Sequence, residues 1–307
     1  MMRTTGLVLL CSMLLAPSPI WSAPPALTSS ELSISSEPPV GSPARAAIEK
    51  FVTYHLDQIT SGDPGAVKEG RDQLSATLRK PDATPVFQQL FLKLAEPQVR
   101  KAVSGDNVQG AINALMVIRW VRTPEAFELV RTQCDPKDQS DVRVRAAAAN
   151  LLPNMVKAGA IPPAQLDGAA RRLRETCERE SDWVALARCY TALAQMAALA
   201  SSAKLEAEAM NIRLELVKAL GAGTKQSLSP EGRGAVSAVY RGLVDMRDQV
   251  LTMNQTQRGQ VASALLPVLD QVDGLPESGG DERLQKEIAG AKGVSRTLRS
   301  LLPKSGR

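Results

Sequence analysis

The run DVRVRAAAANLL, Asp141 to Leu152, decides how this chain reads. Ala, Leu and Arg dominate it, residues that lose little freedom in a helix. Within it an apolar residue (Val144), a small residue three later (Ala147) and a leucine seven later (Leu151) share one helical face. The same pattern stands at Val67-Gly70-Leu74, Val108-Ala111-Leu115 and Leu186-Cys189-Leu193, with a weaker copy at Val236-Val239-Leu243. The first four copies are spaced by 41, 36 and 42 residues, and the fifth follows after 50. A small residue in mid-helix lets a neighbouring helix approach closely while the flanking apolar positions fill the seam. One hairpin cannot bury such a face alone; stacked neighbours can.

Outward from this run the signals stay helical. Alternating β-branched or aromatic stretches are nearly absent. Gly62-Asp63-Pro64, Thr84-Pro85, Thr123-Pro124, Ile161-Pro162-Pro163 and Ser229-Pro230 each place proline where a first helical turn tolerates its missing N–H. After the first two copies a second helix opens on Thr-Pro, TPVFQQLFLKL from Thr84 and TPEAFELVRTQ from Thr123. About a dozen helices joined by short turns are expected.

Asp141 to Leu152 resembles the first helix of a HEAT repeat, and Thr123 to Val130 resembles the second helix of the unit before it. The likeness runs from about residue 63 to 199 and is weaker beyond. It implies an all-α fold, an α-α superhelix: a HEAT-like right-handed solenoid of antiparallel helix pairs over 43–228. Residues 229–302 are then a C-terminal helical cap or irregular last repeats, and 303–307 a tail. Such motifs are degenerate and argue for a fold, hardly for an activity.

The ends carry their own signals. Arg3, the apolar run Gly6 to Ala16 and the small residues around Ser22-Ala23 read as a signal peptide over 1–23, too short to span a bilayer. Residues 24–42 are rich in Pro and Ser and read as a disordered leader. Nothing else in the chain reads as a membrane span. A location outside the cytoplasm, periplasmic or extracellular, is expected.

The net charge of +5 is misleading. One charge is Arg3, and the last fifteen residues hold Arg296, Arg299, Lys304 and Arg307 with no acid, so the body between is neutral. A neutral body has no broad field for nucleic acid, and 3% aromatics supplies few stacking platforms. The four tail cations are candidates for contact with an anionic surface, against the plainer reading of a frayed, soluble end.

Catalytic constellations are poorly supplied. His55 is the single histidine, which excludes sites built on several histidines; it reads as a bystander in its helix. Gly221-Ala222-Gly223-Thr224-Lys225 lacks phosphate-loop spacing and reads as a helix stop after Leu220. Arg171, Arg172, Arg174 and Arg179 are interleaved with Glu175, Glu178 and Glu180, a solvated face rather than a nucleic-acid stripe. Trp120, Phe127 and Trp183 read as core packing. Cys189 holds a small-residue position and reads as a buried thiol. In a solenoid Cys134 and Cys177, one repeat apart, are candidates for a disulfide, with no disulfide as the alternative; a Cys177–Cys189 bridge looks out of axial reach.

No cofactor or metal is called for. The expected function is an exported, non-catalytic scaffold or adaptor that binds a protein or peptide on its concave face. The alternative is an enzyme, or enzyme subunit, with its site framed by the helical array.

Overall fold

A computed structural model describes residues 24–229, 232–276 and 281–303; the expected signal peptide lies outside them. Thirteen α-helices and no strand occur among the described residues. They are α1 (Ser29–Leu32), α2 (Pro43–Thr60), α3 (Pro64–Leu78), α4 (Pro85–Ser104), α5 (Val108–Ile118), α6 (Pro124–Thr132), α7 (Val142–Lys157), α8 (Leu166–Arg179), α9 (Trp183–Ser202), α10 (Glu206–Ser227), α11 (Ala235–Thr252), α12 (Gln255–Asp273) and α13 (Glu282–Leu301).

The helix starts follow from the proline punctuation. Ser42, Asp63, Thr84 and Thr123 each accept a backbone N–H on the side chain, and a proline follows each at the first helical position. Asp141 caps α7 by accepting from Arg143 N at 2.8 Å and Val144 N at 3.4 Å. Pro163 opens a 3-10 turn ahead of α8 instead of the helix itself.

The helices alternate between two layers. The odd-numbered helices from α3 to α13 pack in succession, each on the one two places further along. In the even layer α2 packs on α4, α8 on α10 and α10 on α12. Six hairpins join the layers, α2 with α3 through to α12 with α13. All five copies of the sequence pattern fall on odd helices, α3, α5, α7, α9 and α11, and both Thr-Pro openings fall on even ones. The repeat in sequence is therefore one layer of the stack. The chain is all-α and resembles HEAT- and armadillo-type helical repeats. The 228/229 boundary falls between α10 and α11, which pack against each other, so the alternation continues to the end of α13.

Close approach explains the small positions. A Cβ on Gly70 of α3 would lie 2.5 Å from the His55 carbonyl oxygen of α2. The helix stop expected at Gly221 and Gly223 is not there: α10 runs through both to Ser227. Gly223 is small because Tyr190 of α9 crosses it; a Cβ there would meet Tyr190 Oη at 2.2 Å. Gly242 of α11 closes the same slot, where a Cβ would stand 2.6 Å from Leu220 and 2.8 Å from the Tyr190 ring. The enclosed Tyr190 hydroxyl donates to the Ala219 carbonyl at 3.1 Å.

Residues 24–42 are not a loose leader. Leu32 is fully buried, and Leu27 and Ile34 pack against the core. Thr84 N and Oγ1 donate to the Leu32 carbonyl at 3.1 and 3.3 Å, and Oγ1 reaches the Ile34 carbonyl at 2.7 Å. Glu37 pairs with Arg45 and Lys93. Leu27, Leu32 and Ile34 thus anchor the segment on the first helices of the stack.

α9 is long and apolar enough to cross a membrane by length and composition, contrary to the expectation that no such segment follows the N-terminus. Its apolar character has another cause: it packs on α7, α10 and α11 at once.

Candidate interaction surface

The surface is set by a buried ion pair. Arg145 of α7 donates to Glu180 through Nε at 2.6 Å and Nη2 at 3.0 Å, and both side chains are buried. Arg145 Nη1 also holds the Gln139 and Ser140 carbonyls at 3.1 and 2.7 Å. Glu180 Oε1 accepts from Asp182 N at 2.8 Å, and Asp182 in turn caps α9, accepting from Val184 N at 2.8 Å. Neither Arg145 nor Glu180 is left with a buried side-chain nitrogen or oxygen lacking a partner, as burial of charge requires. The chain of contacts fixes where α9 starts, and Trp183 is its first residue.

Trp183 and Val184 of α9 and Tyr240 of α11 stand 38%, 37% and 36% exposed. In the same chain all four phenylalanines and Tyr190 are enclosed. Trp183, Val184, Ala187, Arg188, Thr191 and Arg241 line an open hollow of about 350 Å³. Arg283 of α13 lies over the Trp183 ring, its Cζ 5.3 Å from the centroid. Gly290 of α13 gives Tyr240 its room, since a Cβ there would lie 3.0 Å from the ring. At the floor Asp245 accepts from Thr191 Oγ1 at 2.7 Å and faces Arg241 Nε at 3.8 Å. Burial pushes the Asp245 carboxyl above the usual range, against the Thr191 hydrogen bond and the Arg241 charge.

The sequence-derived candidates fall elsewhere. Cys134, Cys177 and Cys189 are buried free thiols, so the Cys134–Cys177 bridge is not formed. A Cys177–Cys189 bridge, expected to be out of axial reach, is not formed either. Burial pushes the Cys134 and Cys177 thiols well up.

His55 is enclosed, with Nδ1 2.8 Å from Gln58 Oε1 and Nε2 3.4 Å from the Pro25 carbonyl. Of the tail cations, Arg296 is exposed on α13, while Arg299 pairs with Asp270 at 2.6 Å and Asp273 at 3.0 Å. Lys304 and Arg307 lie outside the described residues.

The arginines of α8 do more than face water. Arg172 pairs with Glu128 of α6 at 2.6 Å, Arg174 with Glu215 of α10 at 2.8 Å, and Arg179 with Asp135 just beyond α6. They tie α8 to both even-layer neighbours.

Sequence reasoning missed Trp183 as a surface residue by treating it with the core aromatics. Repeat register carried a signal: Thr191 and Arg241 both stand five residues after the first apolar position of their copies, on the face the pattern leaves open. Phe127 is buried as expected, whereas Trp120 is only partly so.

An all-α array of stacked helix pairs with an exposed Trp-Tyr-Arg patch defines the class: a helical-repeat protein. No known family matches the sequence, and no curated protein matches it. Among solved structures it is similar to an engineered protein, with a TM-score of 0.38, 15% identity, and coverage of 80% of this chain and 97% of the other. It is also similar to a designed armadillo repeat protein, with a TM-score of 0.37, 14% identity and coverage of 80% and 99%. A third likeness is to computationally designed armadillo repeat proteins for modular peptide recognition, with a TM-score of 0.37, 15% identity and coverage of 79% and 99%. Superpositions this loose carry no argument about function, and the fold rests on the chain's own helix order and packing.

Proposed function

We propose that this chain is a non-catalytic scaffold that binds a segment of another protein on its odd-helix face, around Trp183, Tyr240 and Arg188. The observation that carries the reading is the exposed Trp183 in an open hollow that Arg188 and Arg241 also line, with exposed Tyr240 next to Arg241 on α11. Trp, Tyr and Arg are the residues that most often dominate binding energy at protein interfaces. An aromatic side chain held by a rigid helix start also loses little entropy on binding.

The enzyme alternative draws less support. It needs an accessible His55 or a gathered set of acids, and His55 is enclosed between α2 and the residues ahead of it. The reading extends to location: the charged start, apolar run and small residues of 1–23 support export, and N-terminal sequencing of the protein from its host envelope tests that part.

The binding test is site-specific photo-crosslinking in the host. A photoreactive residue replacing Val184 is expected to give one dominant protein adduct, while the same residue replacing the exposed Leu251 gives none. Identical adduct patterns from the two positions would overturn the reading.

A further inference from the structure

At the C-terminal ends of α3 and α5, Arg79 and Arg119 come together with no carboxylate paired to either among the described residues. Arg79 and Arg119 both lie over the Trp120 ring, with Cζ 5.0 and 4.7 Å from its centroid. Among the described residues the ion pair nearest this cluster is Arg71 with Asp72, and neither Arg79 nor Arg119 makes one. Arg119 Nε is enclosed and has no hydrogen-bond partner. Arg71 stands behind them, donating to Asn113 Oδ1 at 3.3 Å and touching Asp72 at 3.5 Å. Burial, then Arg79 and Arg71, push the Arg119 guanidinium down from its usual range.

Helix polarity explains part of this. Arg79 and Arg119 are C-caps, where a cation is favourable, and Arg79 Nε donates to the Ser75 carbonyl at 3.2 Å. One arginine at each helix end accounts for that. It does not account for two guanidiniums turned onto one indole ring, repelling each other, with an enclosed donor left over. Three of the four arginines of α8, Arg172, Arg174 and Arg179, by contrast each have a carboxylate partner. What the α3–α5 cluster lacks is an oxyanion, and planar guanidinium forks match a carboxylate well.

We infer that Arg79, Arg119 and Trp120, with Arg71 behind them, form a second recognition site that takes an acidic side chain of a bound protein segment. The inference rests on the scaffold reading only for the nature of its ligand, a peptide carboxylate. The site lies on α3 and α5, away from α9 and α11, so the two claims fail separately.

The test is fluorescence anisotropy of a fluorescein-labelled hexaglutamate peptide titrated with the full chain at low ionic strength. Saturable binding is expected, weakened at least tenfold in R79Q/R119Q and unchanged in R100Q/K286Q, which removes the same charge from exposed sites elsewhere. R79K/R119K keeps the charge and loses the forks, and is expected to fall between wild type and R79Q/R119Q. That series separates lost recognition from lost folding, as does the thermal midpoint of each variant. No peptide binding by wild type, or equal weakening in R79Q/R119Q and R100Q/K286Q, would overturn the site. Saturable binding of inorganic phosphate without peptide binding would overturn the peptide assignment. None of these variants touches Trp183, so any such result leaves the crosslinking test of the scaffold reading intact.

Discussion

At the scale of single residues, Asp141 and Glu180 show how polar groups position the stack. Asp141 is held down to about 2 by the Arg143 guanidinium first, and by the backbone N–H groups of Arg143 and Val144, against a burial effect that raises it. An unfolded aspartate titrates near ~3.9. The carboxylate therefore contributes stability in full above roughly pH 4, and loses it as pH falls through its folded value. Asp141→Ala is expected to cost about 1 kcal/mol at neutral pH, with the gap from wild type closing below about pH 2 in chemical denaturation. Glu180→Gln strands Arg145 without its charge partner in the interior. A loss of roughly 3–5 kcal/mol is expected, much of it recovered by replacing both residues with apolar ones. Denaturation midpoints of the single and double variants check this. A single variant as stable as wild type would mean that the pair does not hold the turn.

Helix starts, seams and the repeat were legible in the sequence at the scale of elements because each depends on neighbours in the chain. Proline after Asp or Thr marked three helix starts, those of α3, α4 and α6, and the apolar-small-leucine pattern marked five odd helices. The errors arose where a residue answers to something distant. Gly221 and Gly223 looked like a helix stop, but α10 runs through both, and Gly223 makes room for Tyr190, a residue on another helix. The polar composition of 24–42 suggested a loose leader because composition averages away the three residues that pack. Leu32 in α1 is the central one, fully buried in a segment that packs on α2 and bonds to the start of α4. Leu32→Ala is expected to cost roughly 2–5 kcal/mol, and hydrogen exchange should then quicken first in α1 and α2. Unchanged exchange there would mean that the segment covers nothing.

At the scale of the whole molecule, packing between alternate helices leaves each layer with one face against the other layer and one face free. On the odd layer Trp183 and Tyr240 stand exposed, with Arg188, Arg241 and Arg283 carried by α9, α11 and α13. The site was the least legible part of the chain. A core tryptophan and a surface tryptophan look alike until the register of the stack is known, and the arginines that frame them come from α9, α11 and α13. The Arg79–Trp120–Arg119 cluster likewise forms only where the ends of α3 and α5 meet.

The central claim is that the Trp183 face binds a protein while the stack behind it carries the fold. The most direct measurement compares wild type with Trp183→Ala in quantitative capture of the protein crosslinked at position 184, alongside thermal unfolding of both. The account predicts at least a tenfold loss of that partner with an unchanged unfolding midpoint, because the indole is among the most exposed large apolar groups. Full retention of the partner by a folded Trp183→Ala variant would contradict it.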